Sequence, residues 1–374
     1  MNNNKKLAQV FHFDLYGKRQ VKYDFLNENS LKSIPWTEIE FSENDENYFF
    51  VPKDFALKDE YENGFKVDEL FPVNTSGVKT HDDANLVSFE KFDEHNQKYD
   101  YRPFDTRNIC YDLSKVVRAR FSVMKHFVDK DNLGLVTCRQ QSTFDFQHIF
   151  ITKSIADMCA VSSQTKETGY IFPLYLYQET FGVTEKIPNL NEAIVSAIEK
   201  RLVGVENFRP LQPIDLLDYI YAVLHSPTYR ERYKEFLKID FPRVPYPENS
   251  EQFRKLALHG EQLRRLHLME NISNADIADI QYKRTGNTDN HKVENSFTEK
   301  SADWHDNRLF INDANYFDGV SRKVYDFYIG GYQPARKWLK DRKGQSLSLD
   351  DRTHYRKIVY VLGRTIEIME EIDK

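Results

Sequence analysis

PIDLLDYIYAVLHSPTYRERYKEFLKIDFPRVP, residues Pro213 to Pro245, is the stretch around which the rest of the chain is organised. Ile214, Leu217, Ile220, Tyr221 and Leu224 keep the spacing of one buried helical face. His225-Ser226-Pro227 then breaks the helix, because a proline disfavours the helical region for the residue before it. A second helix is predicted after the break, with Tyr229, Tyr233, Phe236 and Leu237 inward and Arg230, Glu231, Arg232, Lys234 and Glu235 elsewhere on its surface. Phe241-Pro242-Arg243-Val244-Pro245 ends it, since prolines so spaced cannot continue a helix. By itself the pattern describes an ordinary packed helix pair.

Motifs on both sides of this pair add to it. Upstream stand Phe11-His12-Phe13-Asp14-Leu15-Tyr16-Gly17-Lys18-Arg19, then Phe71 to Thr80 (FPVNTSGVKT), then Tyr101-Arg102-Pro103-Phe104-Asp105-Thr106-Arg107. Downstream stand Tyr328-Ile329-Gly330-Gly331-Tyr332-Gln333 and Lys337 to Gly344 (KWLKDRKG). In this order, with H-S-P-x-Y-R and I-D-F-P-R-x-P between them, they resemble the C-terminal target-recognition region of type ISP and type IIG single-chain restriction–modification enzymes. The resemblance covers nearly the whole chain. It implies a mixed α/β body, rich in antiparallel sheet and surrounded by long helices and helix pairs. It also implies an adenine-N6 DNA methyltransferase and a nuclease, either preceding this region on the same chain or carried by a separate subunit.

With 374 residues the chain can hold two or three domains and substantial cores. Its 40% hydrophobic and 29% charged residues are those of a soluble globular protein. No apolar run approaches the roughly 18–20 residues of a membrane span, and MNNNKKLAQVF holds no signal-peptide core. The expectation is a cytoplasmic protein without a membrane partner. Cys110, Cys138 and Cys159 are too few and too scattered for a disulfide framework and read as reduced thiols.

A net charge of −6 argues against a protein that simply coats DNA. The charge is uneven, however. Residues 1–100 carry 12 basic and 20 acidic side chains, 101–170 carry 10 and 7, and 322–364 carry 11 and 4. A polyanion would meet the second and third segments, unless the 322–364 charges are only solvated helix faces.

In chain order, Gln9–Leu15 reads as a strand before a turn at Gly17, and Tyr48–Val51 as another. Tyr61–Leu70 has weak helical spacing. A boundary is expected near residue 95, dividing a 1–95 connector that would follow a methyltransferase from a 96–374 target-recognition domain with a helical part at 189–268. Asp112–Val128 has helical spacing, with Leu113, Val116, Val117, Phe121, Met124 and Phe127 as the inward stripe. Leu133–Cys138, Phe144–Thr152, Ala156–Ser162, Tyr170–Tyr177 and Val320–Ile329 read as strands. Asn189–Leu202, Ser250–Leu268, Ala335–Lys343 and Leu349–Ile372 read as helices.

The chemistry of the resembled enzymes' catalytic parts is missing from these residues. An adenine methyltransferase holds its flipped base on an Asn/Asp-Pro-Pro-Tyr/Phe loop, and the chain has no Pro-Pro. No glycine-rich loop for a methyl donor follows a strand, and Gly17-Lys18 is followed by Arg19 rather than Ser or Thr. No Glu-x-Lys occurs, and the one Asp-x-Lys is Asp341-Arg342-Lys343 on a basic helix. The chain is therefore expected not to be catalytic alone and to need no cofactor, S-adenosylmethionine and Mg²⁺ belonging to catalytic domains elsewhere. An excised piece or a split gene is the matching expectation.

The sharpest candidate contact is the polar stretch Arg139, Gln140, Gln141 and Ser142 between two apolar strands. Arg can hold guanine through O6 and N7, and Gln can hold adenine through N6 and N7. The bland alternative is a solvated turn, but the stretch lacks the Gly, Asn and Asp that such turns use. Gln164 sits in a similar polar connection. Arg102 and Arg107 flank Asp105, so one can pair with it while the other reaches a phosphate. Lys79 follows a loop that suits a backbone contact. Gly330 and Gly331 beside Tyr332 and Gln333 allow a close backbone approach, either to DNA or to a packed turn. Arg336, Lys337 and Lys340 recur at helical spacing and suit phosphates. The composite expectation is sequence-specific recognition of double-stranded DNA. The alternative is a protein–protein scaffold that reads no DNA.

Overall fold

The computed structural model describes residues 8–40, 49–54, 56–141, 145–180, 182–202, 211–286, 290–298 and 303–374. The chain divides into two compact units, Met1–Lys58 and Asp59–Lys374. The unit that holds residues 96–374 therefore also takes in Asp59–His95.

The smaller unit pairs Val10–His12 antiparallel with Thr37–Ile39 and carries the helix Arg19–Glu28. Phe13 stacks on Phe25 at 5.5 Å and meets Trp36 edge-on at 6.3 Å. Tyr16 and Leu31 stay exposed. The expected strand at Tyr48–Val51 does not form over its described residues, Phe49–Val51, which are turn and coil.

The larger unit is mixed α/β. Three four-stranded sheets occur among its described residues, and nearly all their pairings are antiparallel. One runs Ile155–Ala156, Asn96–Arg102, Asp105–Cys110, Val87–Ser88, with only the first pair parallel. A second runs Thr75–Ser76, Gly169–Pro173, Gly134–Cys138, Ile149–Thr152. Every residue of Gly134–Cys138 and of Ile149–Thr152 is buried. The alternation read in Phe144–Thr152 therefore does not mark a solvent face, since Ile149–Thr152 is covered on both sides. A third sheet, Gln281–Arg284, Asn315–Asp318, Arg308–Phe310, Trp304–His305, lies beside the closing helix.

The first helix and the break of the opening stretch form as expected, but Leu216–His225 is buried on every side rather than along one face, and the second helix divides at Tyr233 into Pro227–Arg232 and Lys234–Leu237. Pro213–His225 is helical, and Leu217, Ile220, Tyr221 and Leu224 are fully buried. Full burial of such a side chain is worth about 1.5–3 kcal/mol. Ser226 is extended and ends this helix, and its hydroxyl then caps Pro227–Arg232 by accepting from Tyr229 N at 3.0 Å. Asp373, beyond the closing helix, accepts from Ser226 Oγ at 2.5 Å and from Thr228 N at 2.7 Å. It fastens the C-terminus to the pair.

Helix Ser250–His267 crosses Pro213–His225 at Gly260, where a Cβ would lie 1.8 Å from the Asp218 carbonyl oxygen. One turn on, Arg264 closes a two-bond ion pair on Asp218 at 2.6 and 3.0 Å. Leu349–Ile372 forms a single helix between its expected ends, capped by Ser348.

Four further expectations fail in this unit. Tyr170–Tyr177 is not one strand: Gly169–Pro173 and Tyr175–Thr180 are separate strands in different sheets. Asp112–Val128 is not one helix: only Phe121–Met124 is helical, and Arg120 before it has φ 54°, a left-handed conformation that stops a helix from passing through. Val116, Met124 and Phe127 are buried, but Leu113, Val117 and Phe121 face solvent. Ala156–Ser162 continues the strand only at Ala156 before turning. Val320–Ile329 is not a strand but holds the helix Arg322–Asp326, whose Val324 N donates to Ser321 Oγ at 3.3 Å.

Candidate nucleic-acid interface

The connection between strands Gly134–Cys138 and Ile149–Thr152 emerges from two strands that are buried throughout. Arg139 Nε donates to Asp240 Oδ1 at 2.8 Å, and its side chain is 57% exposed. Gln140 Nε2 donates to the Ile239 carbonyl at 3.2 Å. Both partners lie just past the helix pair, which thereby braces the connection. Lys66 Nζ binds the other oxygen of Asp240 at 2.8 Å. Burial alone would raise the Asp240 carboxyl, but the hydrogen bonds from Lys66 and Arg139 outweigh it and hold the group below its usual range. Since Asp240 takes Nε, the terminal nitrogens of Arg139 are left to meet a ligand. Gln141 is turned inward at 4% exposure, and neither polar atom of its side chain has a partner. Its burial contradicts the expected base contact, because its amide is not presented to a ligand. Ser142 lies outside the described residues.

A cleft of about 540 Å³ opens beside this region, lined in part by Lys79, His81, Arg102, Asp157 and Gln164. Its floor is a buried polar network. Glu167 Oε2 sits 2.9 Å from His148 Nε2, with both side chains fully buried, and accepts from Ser162 Oγ at 2.6 Å. Ser162 Oγ in turn accepts from Gln164 N at 3.1 Å, so the connection bearing Gln164 is tied down from beneath. On the other wall Arg102 pairs with Asp157 at 3.0 Å, and Tyr99 donates to the same carboxylate at 2.5 Å. Burial raises the Asp157 carboxyl more than Arg102 lowers it.

Arg102 and Arg107 both lie over the ring of Tyr101, at 3.8 and 4.0 Å from its centroid. Arg107 is the one that takes Asp105, at 2.8 Å, and it approaches Asp341 at 3.5 Å. Arg342 binds the other Asp105 oxygen at 2.8 Å, so one buried carboxylate joins the Asn96–Cys110 hairpin to the C-terminal helices. Burial pushes the Asp105 carboxyl up, but Arg342 and Arg107 together hold it below its ordinary value.

The Gly330-Gly331 turn approaches protein. A Cβ on Gly330 would lie 1.8 Å from the Val161 carbonyl oxygen, and one on Gly331 would lie 2.5 Å from Ser162 Oγ. Tyr332 is buried and donates to the Cys159 carbonyl at 2.9 Å. Gln333 donates to the Asp326 carbonyl at 3.2 Å, and Arg336 pairs with Asp326 at 2.7 Å. Lys337 pairs with Asp341. Lys340, one turn on, is exposed, with no ion pair among the described residues. The basic 322–364 segment thus spends much of its charge on its own carboxylates.

Sequence reasoning missed Asp240, because an acidic residue in a helix-ending segment carries no sign of what it will hold. It also missed Arg118, whose backbone pairs in both directions with Lys79, at 3.0 and 3.2 Å. Among the described residues no group of three or more His, Cys, Asp or Glu is placed to hold a metal ion. No described helix is long and apolar enough to cross a membrane.

A family model described as the Type ISP C-terminal specificity domain matches residues 90–371. Three solved structures share the fold. The ATP-dependent Type ISP restriction-modification enzyme LlaBIII bound to DNA has a TM-score of 0.67 and 15% identity, over 91% of this chain and 26% of that one. A nuclease-deletion mutant of the Type ISP restriction-modification enzyme LlaGI in complex with a DNA substrate mimic gives 0.70 and 17%, over 98% and 33%. The DrdV–DNA complex gives 0.72 and 16%, over 94% and 41%. This chain thus spans from about a quarter to two fifths of the length of those solved chains. No curated protein matches it.

Proposed function

The chain belongs to the family of Type ISP C-terminal specificity domains, and we propose that it is the part of a restriction–modification enzyme that reads the sequence of double-stranded DNA. The observation that carries this reading is the specificity-domain match over residues 90–371. Arg139 supports it: an exposed guanidinium just past a buried strand, aimed by a carboxylate that engages only its Nε. Such a fork suits guanine O6 and N7 in the major groove. Lys340 and the rim of the 540 Å³ cleft supply sequence-independent phosphate contacts.

Methyl transfer to adenine, with S-adenosylmethionine, and Mg²⁺-dependent cleavage belong on this reading to other domains of the enzyme or to a separate subunit. The recognition module positions the target base for the first and directs the second. Its working compartment is the cytoplasm, where the DNA is. The two buried free thiols, Cys110 and Cys138, suit a reducing compartment.

The test is fluorescence anisotropy of the chain with mixed-sequence duplexes over a salt series. Binding that weakens steeply with salt supports the reading. Salt-insensitive binding or none, together with tight binding of a protein partner, would establish a scaffold instead.

A further inference from the structure

The strongest feature that the proposed function does not use is the segment Leu113–Lys125, where the expected long helix shortens to Phe121–Met124. Its sequence, LSKVVRARFSVMK, holds four basic residues, and no acidic one occurs between Asp112 and Asp129. Val116, Val123, Met124 and Phe127 are buried and anchor the segment in the core. The segment exposes Leu113 at 51% ahead of these anchors, and Val117 at 66% and Phe121 at 46% between them, side chains that burial would favour. Lys115 pairs weakly with Asp112 at 3.3 Å, whereas Arg118, Arg120 and Lys125 have no carboxylate partner among the described residues. The backbone pairing of Arg118 with Lys79 sets the segment at the rim of the 540 Å³ cleft.

Residues 322–364 differ in degree, with six of their eleven cations in ion pairs among the described residues. There Arg322, Lys323, Arg336, Lys337, Arg342 and Arg364 all sit in ion pairs. In the shorter segment only Lys115 of the four cations has a carboxylate partner among the described residues. Uncompensated cations interleaved with exposed apolar side chains are complementary to a polyanion with apolar sugars and bases between its phosphates.

We propose that Leu113–Lys125 is a second DNA-contacting ridge, in which Arg118 and Lys125 take phosphates while Val117 and Phe121 pack on the sugars and base edges between them. This rests on the DNA-reading function proposed above. The ridge carries no bidentate base contact. It clamps the duplex irrespective of sequence and leaves discrimination to the Arg139 connection.

The experiment uses the whole 374-residue chain and duplex DNA in anisotropy titrations from low to physiological salt, with circular dichroism and melting to confirm folding. All the substituted residues are exposed, so the fold should be kept. Arg118→Glu should weaken binding about tenfold or more and flatten the slope of log affinity against log salt by about one to two. Phe121→Ala should weaken binding several-fold with the slope unchanged, since an apolar contact releases no counterions. Lys255→Glu, on the exposed face of helix Ser250–His267, should change neither. If the chain binds DNA in a salt-dependent way and both ridge variants match the unmodified chain, the ridge is overturned while the recognition function stands. If the unmodified chain binds no DNA, the function and the ridge fall together.

Discussion

Arg139 is held by Asp240, whose Oδ1 lies 2.8 Å from its Nε, and the two residues come from opposite sides of the helix pair, 101 positions apart in the chain. The pair therefore makes the aim of a candidate base contact depend on the Ile239-Asp240-Phe241 segment. Arg139→Ala should relax discrimination at one base pair by about 1–3 kcal/mol, the worth of a good bidentate contact. Asp240→Ala should lower the same discrimination by a smaller factor, because it frees the side chain without removing it. Competition binding across every single-base variant of the recognised site measures both. A uniform loss over all variants would make Arg139 a phosphate or structural residue.

Lys340 should behave in the opposite way. Exposed and without an ion pair among the described residues, it is suited to a phosphate, so Lys340→Ala should weaken all sequences equally and reduce the salt slope by about one. Lys337→Ala should have less effect, since Lys337 is already engaged by Asp341. Equal salt slopes for the unmodified chain and Lys340→Ala would remove this helix from the interface.

The chain alone should transfer no methyl group and cut no DNA. Labelled S-adenosylmethionine with mixed-sequence duplexes, and supercoiled plasmid with Mg²⁺, test the two activities separately. Label incorporated into DNA by the pure chain would refute the first.

Gly260 is a close-approach residue. Its missing Cβ would lie 1.8 Å from the backbone oxygen of Asp218, and backbone cannot yield as a flexible side chain can. Gly260→Ala should separate the two helices, disturb the Asp218–Arg264 pair and destabilise the protein by about 3 kcal/mol or more. Denaturant midpoints against the unmodified chain measure this. A midpoint shift within error would mean that the helices sit farther apart.

The buried histidines should make stability fall in mild acid. Burial, reinforced by Arg230, lowers His267 to about 3, and its ring nitrogens are engaged by Tyr221 and Thr365. Burial also pushes His225 well below its usual value. Below about pH 6.5 the unfolded chain takes up protons that the folded chain refuses, so stability present at neutral pH is lost as pH falls from about 6.5 towards 3. Each such histidine contributes about 1.4 kcal/mol per pH unit in that window. Urea midpoints at pH 7.5, 6.0 and 5.0 should decline, and His267→Gln should shallow the decline by about one proton's worth. Identical pH slopes in the two proteins would show that His267 takes up its proton as readily in the folded chain as in the unfolded one.

The sequence by itself determined the elements whose local pattern and local chemistry agree. The Pro213–His225 helix, the Ser226-Pro227 break and the closing helix Leu349–Ile372 all form as their apolar spacing and their capping or breaking residues require. The ordered motifs likewise led to the family. Periodicity, however, says only which side chains are apolar, and not what arrives to cover them. Leu113, Val117 and Phe121 have helical spacing, yet Arg118 gives its backbone to Lys79 and Arg120 turns left-handed, so those side chains remain in solvent.

Only the tertiary structure could decide which charges are free. Residues 322–364 looked basic because Asp105 and Glu370, which neutralise Arg342 and Lys323, are supplied from elsewhere in the chain. Likewise the Gly330-Gly331 turn could have met DNA or protein until Val161 and Ser162 were found against it. Asp105 and Arg342 are separated by 237 positions. Pairing at that range depends on the path of the whole backbone, and no local spacing encodes it.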